Sequence, residues 1–298
     1  MAQDYAGLSV VFLEYNVDAA PGSRYSRWWA AFGGGQALLP LTMVDSGYQI
    51  SSGYVNFYDV YKGMVDASLA RPPQASIEAY TWRDGDKVGY YVQLLNLTGV
   101  TLSYANSAMV HGIVYEDIHV GDTSRYVRAV ASTQIPNLAS QASATYTFKT
   151  SDLTGVNWNN QHYLVLVDYK PGGTSGKYDM LQAAHALSLP FPFSVSPNPM
   201  SFIIDPDHPT NLSRPLNIQG ANYLSWLATE NIPWLSISPG NGSINTQPIV
   251  SIDTVVLPPG VSQGVITFTT ADSYFIQSII VNVYLGPVEH DFLPLIGR

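Results

Sequence analysis

Between Ser225 and Leu285 the chain alternates apolar and polar residues, and Pro and Gly interrupt the alternation at short intervals. Val265-Ile266-Thr267-Phe268-Thr269 and Ile279-Ile280-Val281-Asn282-Val283-Tyr284 carry the pattern most clearly. A period of two places alternate side chains on opposite faces of an extended strand, which a helix cannot do. The Pro-Gly and Asn-Gly pairs between the runs are turn chemistry. Several such runs within roughly 60 residues predict an antiparallel sandwich. The rest of the chain reads as further modules placed before this one.

At 298 residues, two or three domains are expected. Hydrophobic residues make up 46% and charged residues only 12%, the latter about half the usual share. The polar surface must therefore come from Ser, Thr, Asn, Gln and Tyr. With 20 Tyr, 24 Gly and 20 Pro, the composition suits a secreted β-protein better than a cytosolic enzyme. A net charge of -9 argues against a polyanion such as nucleic acid as partner. The absence of cysteine excludes disulfides, thiolate catalysis and Cys-ligated metals, but does not fix the compartment. No apolar run of about 18 residues is present, so no membrane-spanning helix is expected. The N-terminus lacks a basic stretch followed by an apolar core, so no signal peptide is expected in the chain as written.

Residues 1 to 72 read in the order β-α-β-β-α. Ser9 to Val17 is apolar and β-branched, a buried strand. Tyr25, Trp28, Trp29 and Phe32 have helical spacing, and Gly33-Gly34-Gly35 follows them. Glycines placed after a helix and before a strand terminate the helix; a phosphate cradle needs a helix to follow. Trp28 and Trp29 could stack a sugar, but their spacing makes at least one of them core. A strand over Leu39 to Gly47 pairs back through Tyr48 to Ile50. Phe57, Tyr61, Met64, Val65 and Leu69 mark a second helix. This order, with a strand entered through Pro40, resembles the C-terminal half of a thioredoxin fold. The resemblance implies that Pro40 is structural and that a Cys-x-x-Cys half would lie upstream of Met1.

Arg71-Pro72-Pro73 is a stiff break. Beyond it, strands are expected at 76–83, 88–97, 108–115, 144–150 and 163–169, with a hairpin turn at Asp84-Gly85-Asp86. Glu116, Asp117, His119 and Asp122 form the densest ligand-capable cluster, since a hard cation needs several oxygens from one tight loop. Their spacing matches no EF-hand, and a solvated loop is the plainer reading. His111 alternates with apolar neighbours and reads as a core or edge histidine. No Gly-x-Ser-x-Gly elbow supports a Ser-His-Asp site. The runs Val110 to Asp117, Arg125 to Arg128 and Trp158 to Ala184 resemble the immunoglobulin-like domain of Omp28-type bacterial surface lipoproteins, here over residues 73–188.

Residues 189–193 are a Pro-rich linker. Asp205-Pro206-Asp207-His208 could hold a cation, but its prolines favour a plain acidic turn. From Ser194 to Gly286 the Ser-Pro opening, Trp226, the run Pro233 to Pro239, Asp253-Thr254, Leu257 to Gly260 and Gly264 to Phe268 resemble a BACON-type sandwich. That family is linked to carbohydrate binding and also to spacing. Trp226 and Trp234 sit on its patterned positions and read as core anchors. Residues 287–298 form an apolar tail.

The expected molecule is mainly β and multi-domain, with a partial thioredoxin-like α/β module before two immunoglobulin-like sandwiches. No residue set makes a convincing catalytic centre. The expectation is a non-catalytic, extracytoplasmic surface, scaffold or binding protein that needs no cofactor. Its partners would be carbohydrate or another surface protein. The alternative is a fragment or inactive relative of a thiol-disulfide protein.

Overall fold

The computed structural model describes residues 4–15, 23–35, 38–53, 56–120, 123–188, 193–207, 209, 212–220, 224–271 and 275–287. The chain is mainly β, with twenty-two strands and two α-helices among the described residues. It divides into two compact units, 1–190 and 191–298.

The first unit opens with α1 (Ser23–Phe32), β1 (Leu41–Val44), β2 (Gln49–Ser52) and α2 (Phe57–Leu69). Only four residues separate β1 from β2, too few for a crossover, and the two form an antiparallel hairpin. The Leu39–Pro40 peptide before β1 is cis. The strands that follow are β3 (Ala75–Asp84), β4 (Lys87–Asn96), β5 (Leu102–Ser103), β6 (Met109–Val120), β7 (Thr123–Gln134), β8 (Asn137–Leu138), β9 (Ser143–Lys149), β10 (Gln161–Tyr169), β11 (Asp179–His185) and β12 (Leu187–Ser188). They build two four-stranded sheets, β12-β3-β4-β9 and β11-β10-β6-β7. Val88, Tyr90, Val92 and Leu94 of β4 point inward and meet Val110, Val114, Val165 and Val167 of the other sheet. The sheets approach closely where the Tyr90 ring covers Gly112: a Cβ there would sit 2.7 Å from the ring.

The second sheet is covered on its other face as well. Ile113, Tyr115, Val127, Leu164 and Leu166 form a separate apolar cluster, and Val11, Leu13 and Tyr15 pack on it. A sheet with both faces covered reads as near-continuous apolar sequence, which is why Leu164-Val165-Leu166-Val167 lacks a polar alternation.

This arrangement corrects two expectations. The stretch Ser9 to Val17 is not the central strand of an α/β sheet. Its described part is extended and joins the edge of β7 at one parallel bridge, Glu14 to Tyr126. The Glu14 N–H donates to the Arg125 carbonyl (3.0 Å), and Glu14 accepts from the Val127 N–H (3.0 Å). Among the described residues the N-terminal region holds a two-stranded hairpin and two helices, and no thioredoxin-like α/β module. Nor is Arg71-Pro72-Pro73 a boundary between compact units, because residues 1–190 are one. Apolar cover for an otherwise bare sheet face outweighs the local stiffness of two prolines.

The second unit comprises β13 (Phe193–Ser196), β14 (Met200–Ile204), β15 (Ser213–Pro215), β16 (Asn217–Gly220), β17 (Ser225–Thr229), β18 (Leu235–Ser238), β19 (Asn241–Ser243), β20 (Ile249–Ile252), β21 (Gly260–Thr270) and β22 (Ile276–Leu285). A five-stranded sheet, β14-β22-β21-β17-β19, opposes a three-stranded one, β15-β20-β18, and β13 pairs with β16. Strict alternation of buried and exposed residues along β14, β17 and β18 gives each strand one core face. Trp226 lies in that core, 2% exposed, with its indole N–H donating to the Ser243 carbonyl at 2.9 Å and its ring tilted on Phe268. Trp234 is 7% exposed and lies against Gly264 of the opposite sheet. The linker at 189–193 and the tail at 287–298 fall almost wholly outside the described residues.

Candidate functional site

The densest polar chemistry in the first unit sits where α1 meets the outer face of the sheet containing β6 and β10. Val165 and Val167 face the sandwich core, so Leu164, Leu166 and Asp168 face outward. On β6 the same alternation turns His111, Ile113 and Tyr115 to that face. The helix then lays Arg27 and Trp28 over Asp168 and His111.

Asp168 is fully buried. Its Oδ1 accepts from Arg27 Nη1 at 2.6 Å and lies 3.2 Å from His111 Nε2, and its Oδ2 accepts from the Trp28 indole N–H at 2.9 Å. Arg27 Nη2 donates to the Ser107 carbonyl at 2.7 Å, and the guanidinium lies 3.6 Å over the Tyr178 ring. Burial alone would raise the Asp168 pKa. The charges and hydrogen bonds of His111 and Arg27 overcome that and hold the carboxyl well below the ordinary carboxylate range. The other nitrogen of His111, Nδ1, is 2.7 Å from Ser132 Oγ, its cross-strand partner on β7.

Serine, histidine and aspartate therefore stand in line, but the line is wired differently from a nucleophilic triad. There the carboxylate accepts from the imidazole and stabilises the imidazolium that forms. Here Arg27 already neutralises Asp168. Arg27 Nη1 also lies 3.0 Å from His111 Nε2. His111 Nε2 therefore faces a guanidinium donor as well as the carboxylate. The arrangement ties α1 to the sheet through a buried ion pair.

A second tie joins the hairpin region to β11. Arg71 Nη1 bonds Asp45 Oδ2 at 3.0 Å and Nη2 bonds Asp179 Oδ1 at 2.5 Å, with the guanidinium over Tyr48. Burial raises the Asp179 pKa, and Arg71 only partly offsets it. Arg71, read as part of a break, is a clamp.

The acidic cluster at 116–122 does not converge. Glu116 and Asp117 are neighbours on β6 and project to opposite faces. Glu116 is 1% exposed; its Oε1 accepts from the Asn157 N–H at 2.9 Å and its Oε2 lies 3.3 Å from Arg128 Nε. Asp117 is exposed and faces Arg125 and His162. The His119 side chain and Asp122 lie outside the described residues. Among the described residues no group of three or more His, Asp or Glu is placed to hold a metal. Asp205 caps its own turn, accepting from the Asp207 N–H at 3.0 Å. Of the tryptophan pair, Trp28 is buried, and Trp29 stacks on Phe32 with centroids 6.0 Å apart.

His111 was legible from sequence as a buried histidine; Arg27 and Asp168 were not picked out. The available signal was Asp168 itself, a carboxylate inside the apolar run Leu164 to Tyr169, which a fold can bury only with a partner.

No family model matches the chain, and no curated protein matches it. Solved structures give distant likenesses. Red sea bream transglutaminase is 11% identical with a TM-score of 0.23, covering 81% of this chain and 37% of that one. The sporulation control protein Spo0M of Bacillus subtilis is 8% identical with a TM-score of 0.26, covering 71% and 91%. A GH20 exo β-N-acetylglucosaminidase of Vibrio harveyi, in complex with N-acetylglucosamine, is 10% identical with a TM-score of 0.20, covering 44% and 25%. At such scores they carry no argument about fold or function.

Proposed function

We propose that this chain is a non-catalytic, extracytoplasmic surface or scaffold protein whose modules space and present a binding surface, with carbohydrate or another surface protein as the ligand class. The observation that supports this reading most directly is the wiring of Asp168. In the Ser132, His111 and Asp168 line, the carboxylate is paired with Arg27 and engaged, with Trp28, in holding α1 on the sheet. The low share of charged residues and the turn-rich composition favour an extracytoplasmic setting. No described helix is long and apolar enough to cross a membrane. The finer architecture belongs to the same proposal: an immunoglobulin-like sandwich within 73–188 and a BACON-like sandwich over 194–286.

The test is a panel of chromogenic esters and glycosides run beside a glycan array. Wild type and Ser132→Ala should show the same background turnover. Hydrolysis that disappears in Ser132→Ala would overturn the non-catalytic reading.

The alternative, an inactive relative of a thioredoxin-fold protein, draws on the order helix, hairpin, helix in α1 to α2. Thiol-disulfide exchange needs a thiolate, and the 298 residues contain none. Gene sequence encoding a Cys-x-x-Cys segment directly upstream would favour this alternative.

A further inference from the structure

The outer face of the five-stranded sheet in the second unit is uncharged. None of β14, β22, β21, β17 and β19 contains an Asp, Glu, Lys, Arg or His. The unit's described carboxylates, Asp205, Asp207, Glu230 and Asp253, all lie outside these five strands. This bare face is nevertheless rich in large apolar side chains: Val261 is 82% exposed, Ile203 and Ile276 66% each, and Leu227 51%.

The register arranges them in rows across the strands. Ile203, Tyr284 and Val261 lie side by side, and so do Ile280 and Val265. Between these two rows runs a polar one, Ser201, Asn282 and Gln263, and beyond them another, Ser278 and Thr267. The polar rows bond within themselves: Gln263 Nε2 donates to Asn282 Oδ1 at 3.0 Å, and the Thr267 and Ser278 hydroxyls are 3.3 Å apart. Covering them therefore strands few donors or acceptors. What the face gains from contact is apolar burial.

We propose that two copies of this chain associate through this face, sheet against sheet. Charge selects the occupant. An anionic partner finds no lysine or arginine in these strands, and a cationic one finds no carboxylate in them. Two acidic copies can approach closely only where neither presents a carboxylate, and this face meets that condition on both sides at once. A ligand read by hydrogen bonds, such as a neutral glycan, finds polar side chains already paired to one another. Exposed sheet faces also pack well on one another, with inner side chains interdigitating. Five strands about 4.8 Å apart give a face of roughly 500 Å² per copy, or about 1,000 Å² in total. That is the size of weak or transient interfaces, so the dimer should dissociate on dilution.

The experiment is sedimentation equilibrium on the full chain across a concentration series. Wild type should shift from monomer to dimer, Val261→Lys and Ile276→Lys should each weaken association at least tenfold, and Val255→Lys, an exposed position outside the five strands, should not. Both face variants replace exposed side chains and should melt as wild type does. A wild type that stays monomeric through several hundred micromolar overturns the proposal and leaves the face to an uncharged partner. A dimer that survives both face substitutions overturns it equally, because another surface then carries the contact.

Discussion

Asp168 shows how one buried charge fixes an interface. Its carboxylate is removed from water and balanced by Arg27, His111 and the Trp28 N–H. Breaking such a set by removing one member leaves the others uncompensated. Asp168→Asn should destabilise the first unit by about 3–5 kcal/mol, read from urea unfolding. The pH dependence follows from the direction of the shift. A depressed folded pKa gives stability that is fully present above the unfolded carboxylate value, about 3.9, and is lost only as pH falls toward the folded one. The stability gap between wild type and Asp168→Asn should thus be constant from pH 5 to 8 and shrink only below about pH 4. A gap that already closes above pH 5 would mean that a group other than Asp168 carries the effect.

Sheet contacts in both units depend on a glycine facing an aromatic ring. Gly112 on β6 lies under Tyr90, and Gly264 on β21 lies under Trp234 and Leu235, where an added Cβ would be 2.9 Å from each. Neither backbone can withdraw without breaking its ladder. Gly112→Ala and Gly264→Ala should each cost about 1–3 kcal/mol through overpacking, measured by thermal unfolding. Trp234→Ala, which empties the same contact from the other side, should cost about 3–5 kcal/mol. The segment around Glu14 makes a third case. Its amide and that of Val127 are both bonded across the bridge. In native hydrogen exchange these two amides should be protected together and released together in Leu13→Ser, which loosens the apolar cover holding the bridge in place.

Two compact units in one chain set the expectation for the whole molecule. Asp168→Asn and Trp234→Ala lie in different units, so calorimetry should show two transitions, each lowered by one substitution only. A single transition lowered by both would mean that the units unfold as one.

Alternation and turn chemistry in the sequence placed only part of the strands: the stretch expected at 108–115 stops five residues short of the end of β6, and β7 and β11 were not expected. The stretches expected at 76–83, 88–97, 144–150 and 163–169 coincide with β3, β4, β9 and β10 to within two residues, because period-two burial is written locally. Trp226 and Trp234 could be read as core for the same reason. Ser9 to Val17 could also be read as apolar, but not where it would go. Its composition is equally suited to the centre of an α/β sheet and to the outside of a sandwich, and only the bare outer face of β6, β7 and β10 decides between them. The pairing of Arg27 with Asp168 spans 141 positions, and no local pattern encodes a contact at that distance. The same holds for the uncharged face. Each strand shows its missing charges by itself, but only the strand order lays those absences side by side as one surface.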